Sequence, residues 1–198
     1  MMTPAQPIAF QFHWESVVMK RIALVVCVLA ATATAVVSAQ GFKVIKEYLS
    51  GYNEVSSVST TGNGTFKARI SNDGQSIDWE LSYADLEGAV QQSHIHFGNA
   101  GTNGGISVFL CTNLGNGPAG TQPCAAPPAV ITGTIVAADV SPNIPATLAA
   151  RNQGLNSGEI DELVAAIRAG ATYVNVHSAL FPGGEVRSQI DGNSGHNH

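Results

Sequence analysis

The segment Ile77-Asp78-Trp79-Glu80-Leu81-Ser82-Tyr83 sets four apolar or aromatic residues on one side of an extended chain and three polar ones on the other. A period of two is the signature of a half-buried strand. Weaker versions of the same alternation mark Phe42 to Leu49, Gly64 to Ser71, Val90 to Phe97, Ile106 to Cys111, Val130 to Val136, Thr172 to Ser178 and Glu185 to Ile190. Asn72-Asp73-Gly74 lies between two of these runs, and Asp-Gly predicts a tight hairpin turn there. Many short strands with frequent turns predict an all-β fold, an antiparallel sandwich or barrel. One stretch departs from the pattern. Ile160, Leu163, Val164 and Ile167 recur at helical spacing, with Asn156 or Ser157 as candidate N-cap, acidic residues at 159, 161 and 162, and Gly170 as the stop. This predicts one short amphipathic helix packed against an end or edge of the sheet. Thr112 to Pro128 and Ala138 to Gln153 read as long loops.

Upstream of the strands the pattern changes in kind. Met19-Lys20-Arg21 precedes an apolar or small-residue run from Ile22 to Val37, and Val37-Ser38-Ala39 supplies small residues at a cut. That layout is a secretory signal. The run is shorter than the roughly 20 residues of a bilayer span. The reading is therefore residues 19–39 as a cleaved signal, 40–190 as one domain and 191–198 as a flexible polar tail. Residues 1–18 read as an extension mis-assigned ahead of a start at Met19. An uncleaved membrane anchor is the alternative; after cleavage no stable anchor is expected, and the localisation is secreted or periplasmic.

Removing Lys20, Arg21 and Glu15 leaves seven of nine basic residues against thirteen of fourteen acidic ones. An acidic surface of this kind offers nucleic acid or anionic lipid nothing to hold. Of the three cysteines, Cys27 goes with the signal, and Cys111 and Cys124 remain. An even pair flanking a Gly, Pro and Asn-rich stretch in an oxidising compartment predicts a disulfide; two separate reduced thiols are the alternative.

His94 and His96 alternate in Ser93-His94-Ile95-His96-Phe97, so in a strand they share a face while Ile95 and Phe97 share the other. The same parity in Tyr173-Val174-Asn175-Val176-His177 turns His177, with Tyr173 and Asn175, away from the core; Glu185 and Arg187 follow suit in the last strand. All three histidines are thus expected on a polar face, where His177 would tolerate truncation like a surface residue. Two imidazoles at i and i+2 with a third on a neighbouring strand can form a three-nitrogen site suited to copper or zinc. The plainer alternative is structural histidines bonded to Asn175, Glu185 or backbone.

Four motifs in order, Leu49-Ser50-Gly51-Tyr52-Asn53-Glu54-Val55, His94-Ile95-His96-Phe97-Gly98, Tyr173-Val174-Asn175-Val176-His177 and Phe181-Pro182-Gly183-Gly184-Glu185-Val186-Arg187, resemble the CHRD domain, named for its repeats in chordin. The resemblance runs from Phe42 to Ile190. It implies an extracellular β-sandwich or barrel of immunoglobulin-like character, in a family whose biochemical activity is poorly defined. Where the family's first motif continues into prolines, this chain has Ser56-Ser57.

Other chemistry is weakly supported. Gly98, Gly101, Gly104 and Gly105 lead back to a strand without a phosphate-binding Lys, so they read as a turn cluster. The chain has no Gly-x-Ser-x-Gly elbow, and neither Cys111 nor Cys124 has a nucleophile's signature. The expectation is a secreted domain with a non-enzymatic binding or adhesion role toward an unknown extracellular or periplasmic partner, with His94, His96 and His177 as candidate metal ligands. The alternative is a copper or zinc enzyme of superoxide dismutase type. Export itself has a direct test: N-terminal sequencing of protein recovered from the exporting cell should begin at Gln40, and a start at Met1 would refute the signal.

Overall fold

The computed structural model describes residues 44–192; the expected signal and its expected cut, Phe42, and His196 and His198 lie outside the described residues. Eight strands follow in chain order, β1 (Ile45–Ser50), β2 (Asn63–Ile70), β3 (Ile77–Ala84), β4 (Val90–Phe97), β5 (Gly105–Thr112), β6 (Ala129–Ile135), β7 (Thr172–Ser178) and β8 (Val186–Ile190). They form one antiparallel sheet in the order β5-β4-β7-β8-β1-β2-β3-β6 that curls into a nearly closed barrel. Every strand anticipated from alternation is present.

β3 shows why alternation was informative. Ile77, Trp79, Leu81 and Tyr83 are buried, whereas Asp78 and Glu80 face outward and pair with Arg69 and Lys67 at 2.9 and 2.7 Å. Those exposed pairs add at most about 1 kcal/mol each. They fix which face is wet rather than how stable the sheet is. The dry face joins Ile45, Leu49, Phe66, Ile95, Val174, Val176, Val186 and Ile190 in one core.

Two helices lie between β6 and β7. α1 (Leu148–Asn152) occupies a segment expected to be loop, preceded by single 3-10 turns at Ala137–Asp139 and Pro145–Thr147. It is too short for a periodic signal. It packs so closely on β5 that a Cβ at Gly105 would collide with the backbone of Ala149 and Ala150. α2 (Ile160–Arg168) is the expected amphipathic helix, and Ile160, Leu163, Val164 and Ile167 all enter the core. Its N-cap is Glu159, not Asn156 or Ser157: the Asn156 amide donates to the Glu159 carboxylate at 2.6 Å, so the acid reaches back to the entering chain. Gly170, at φ +66°, ends the helix as anticipated. The Asp73-Gly74 turn is wider than a two-residue hairpin: the loop spans 71–76, the Ser71 amide donates to the Ser76 carbonyl, and Gly74 takes φ +73°.

The edges β5 and β6 are joined through the long loop between them. Cys111 in β5 is disulfide-bonded to Cys124. The Thr112 amide donates to the Gln122 carbonyl at 3.0 Å, and Gln122 Nε2 donates to Leu110 O on β5 and Thr132 O on β6 at 3.2 and 3.1 Å. One side chain thus bridges both free edges, and the disulfide holds it there. Replacing both cysteines by serine should lower unfolding stability by about 3 kcal/mol, the chain-entropy value for a loop of this length. Denaturant unfolding of the double variant at wild-type stability would contradict this role for the crosslink.

Candidate metal centre

β4 carries His94 and His96, and β7, its hydrogen-bonded neighbour, carries His177. His94 pairs with Asn175, His96 with Tyr173, and Gln92 with His177, which leaves His177 diagonal to His94 on the same face. The strand adjacency that the sequence could not supply is therefore present. The ligating nitrogens the three rings offer all lie within 4.8 Å of one another, and His94 Nδ1 is 3.2 Å from His177 Nε2. Two imidazoles bound to one ion at about 2.05 Å, about 100° apart, would have their nitrogens about 3.1 Å apart.

The face they share is not the open polar surface that parity suggested. His94, His96 and His177 are 0, 7 and 6 % exposed, and every residue of β7 is buried. Parity held, since Ile95, Val174 and Val176 fill the core on the other side. The other side is also covered, by the loop 98–104 and the turn 179–185, so His177 is no surface residue.

Those coverings do chemical work through their carbonyls. His96 Nδ1 lies 2.9 Å from the Gly104 carbonyl, and His177 Nδ1 lies 2.9 Å from the Pro182 carbonyl. A carbonyl only accepts, so each Nδ1 carries the proton and donates, and each Nε2 is left with a bare lone pair. His177 Nε2 faces His94 Nδ1, while His96 Nε2 and His94 Nε2 are buried without a partner. Tying down the rear nitrogen in this way is how proteins fix the orientation and basicity of a metal-binding imidazole. Gly104 serves twice, because its amide also donates to the Tyr173 hydroxyl at 3.2 Å. The Tyr173 ring stacks on His96 at 4.6 Å with an angle of 2° between planes, and the Arg187 guanidinium lies 3.4 Å from the other side of that ring. Phe109 packs edge-on to His94.

All three rings are held neutral. Burial depresses His94 well below the usual histidine range, with further lowering from His177 and His96. Burial likewise pushes His96 down to about 3 against the opposing pull of the Gly104 carbonyl, and lowers His177 against that of Pro182. Neutral imidazole is the ligating form.

Of the supporting residues expected on this face, Asn175 and Arg187 border the histidines. Glu185 is fully buried, but its carboxylate accepts from Thr60 Oγ1 at 2.7 Å and the Glu87 amide at 2.6 Å, and no hydrogen bond links it to a histidine. Sequence reasoning missed Gly104 and Pro182, which act through backbone atoms, and Glu54, which lies 3.5 Å from Asn175 and is pushed up to about 7, chiefly by burial. The Gly104-Gly105 pair was a usable sign of close approach: a Cβ at Gly104 would strike the Phe97 carbonyl.

The pH dependence follows from the direction of these shifts. In metal-free protein above about pH 7.5 neither folded nor unfolded histidines bind appreciable protons, so they contribute no slope. As pH falls the unfolded chain takes up protons that the buried rings refuse, and stability drops by about 1.4 kcal/mol per pH unit for each ring. Glu54, raised, opposes this between its ordinary value and about 7, which leaves three groups against one. Urea unfolding of the metal-free protein from pH 8 to pH 5 should show a steep acid loss; a flat profile would refute the burial of neutral rings.

A family model described as the CHRD domain matches residues 46–190. No curated protein and no solved structure matches the chain. The matched region takes in all eight strands but for the first residue of β1, the three histidines and both cysteines, and the chain belongs to the CHRD domain family.

Proposed function

We propose that this chain is an exported CHRD-domain protein with a non-enzymatic binding role outside the cytoplasm, and that His94, His96 and His177 hold a copper or zinc ion. One observation carries the metal reading. Two imidazoles on adjacent strands are locked by carbonyls into the tautomer that turns bare Nε2 lone pairs inward, beside a third ring, in a buried site. Without an ion a neutral His94 can donate Nδ1–H to His177 Nε2, which still leaves His96 Nε2 a buried acceptor with no donor, and a cation among the three rings would take a lone pair from each. Three neutral nitrogen donors suit copper or zinc rather than magnesium or calcium, which favour oxygen. Export is supported by the signal-like residues 19–39 and by the disulfide, which belongs to oxidising compartments.

The binding reading is preferred to a dismutase-type enzyme because the rings are closed in. A catalytic metal keeps an open position for substrate, and rings between 0 and 7 % exposed leave little access for one.

Equilibrium dialysis followed by elemental analysis should find about one copper or zinc per chain in wild type. With metal at a hundred times its dissociation constant the fold should gain about 2.7 kcal/mol, read as a raised melting temperature. H94A, H96A and H177A should lose both effects. Metal-free H177A should itself be destabilised by about 1 to 3 kcal/mol, because it leaves the Pro182 carbonyl unpaired. Wild-type melting temperatures unchanged by either metal would remove the reading.

A further inference from the structure

Asn175 stands on β7 between Tyr173 and His177 and directly across from His94 of β4, so its side chain shares the face of the three histidine rings. It is 2 % exposed. One end of its amide is accounted for: Nδ2 donates to Glu54 Oε1 at 3.5 Å, in a corner where residue 184 has to be a glycine because a Cβ there would strike both atoms. The other end is not. The amide is set against the His96 ring, yet neither Asn175 Oδ1 nor His96 Nε2 has a hydrogen-bond partner. Each is an acceptor for a definite reason, since the Glu54 carboxylate draws the amide nitrogen toward itself and the Gly104 carbonyl keeps the His96 proton on Nδ1. Two buried acceptors in one place with no donor between them are seldom left so in native proteins. A cation would satisfy both at once.

We propose that Asn175 Oδ1 is the fourth ligand of the ion held by His94, His96 and His177, and that the four donors form a closed site of three nitrogens and one oxygen for zinc. This rests on the metal reading above. Zinc takes four donors in a tetrahedron and accepts nitrogen and oxygen together, whereas monovalent copper favours donors softer than an amide oxygen. Glu54, bonded behind the amide nitrogen, makes that oxygen the better donor, as the partner behind a ligating group does elsewhere. Four protein donors leave no place for water on the ion, in keeping with a binding role rather than a catalytic one.

The test uses the full chain stripped of metal with EDTA, dialysed free of the chelator and loaded with cobalt(II), whose visible spectrum reports its donors; zinc affinity is measured by competition against a chelating dye. Wild type should give the intense bands of four-coordinate cobalt, unchanged between about pH 6.5 and about pH 9, because no bound water is present to titrate near neutrality. N175A opens the fourth place to water, so its spectrum should change over that range and its zinc affinity fall by about tenfold or more. N175D supplies a charged oxygen at the same place. It should restore the pH-independent spectrum and bind zinc at least as tightly as wild type, and it decides the case should N175A fail to fold. A wild-type or N175D cobalt spectrum that shifts with pH, or an N175A spectrum and affinity unchanged from wild type, would overturn the fourth ligand while leaving the histidine site standing. Failure of wild type to bind either ion would overturn the metal reading and this proposal together.

Discussion

The structure depends on burying β7 on both faces. One face presents Val174 and Val176 and needs only hydrocarbon neighbours; the other presents Tyr173, Asn175 and His177 and needs hydrogen-bond partners, since a buried polar group without one costs about 1 to 3 kcal/mol. The rest of the chain is arranged around that asymmetry. β4 supplies Ile95 to the first face and two more imidazoles to the second, and the loops that follow β4 and β7 fold back over the polar side so that their carbonyls meet ring nitrogens. Backbone bonds anchor both loops, from the Gly98 amide to Ala171 and from the Ala179 amide to Ala89, and the Gly104 and Pro182 carbonyls add the bonds to the rings.

Arg187 ties this polar layer together. Its guanidinium takes two carbonyls of the loop 98–104 and covers Tyr173, while its own backbone carbonyl accepts from Asn53 Nδ2 at 3.1 Å. A single residue of β8 thereby connects the segment after β1, the loop after β4 and the aromatic ring stacked on His96. The guanidinium remains charged in this setting, which suits a place where carbonyls and an aromatic face, rather than a carboxylate, surround it.

The sheet was legible because each strand has one face against hydrocarbon, and alternation reports that directly. β3 is the clearest instance, and α2 was legible for the same reason at a different period. The histidine positions were legible as far as parity reaches: which residues share a side. Parity carries no information on whether that side is wet, and here the decision belongs to Gly-rich loops with no periodicity of their own. The same limit explains α1, whose five residues are too few to repeat, and the start of α2, which begins after Glu159 and not after Asn156 or Ser157, with the Glu159 side chain accepting from the Asn156 amide and making no cap bond to the helix.

That division has a consequence for how the site could evolve or be altered. The hydrocarbon core and the barrel seam, closed by Cys111, Cys124 and Gln122, do not use the histidines, and the polar layer does not use the seam. A change at Pro182 therefore reaches His177 through the turn alone, whereas a side chain at Gly104 also meets the Phe97 carbonyl at the end of β4. Because those two carbonyls set which nitrogen of each ring is bare, moving either loop by about an ångström alters the donors offered while leaving His96 and His177 in place, and ligand basicity is tuned through the bond behind the ring. Under the proposed metal reading, affinity for a cation is adjustable through the carbonyls of the two loops, and the strands need only keep β4 beside β7.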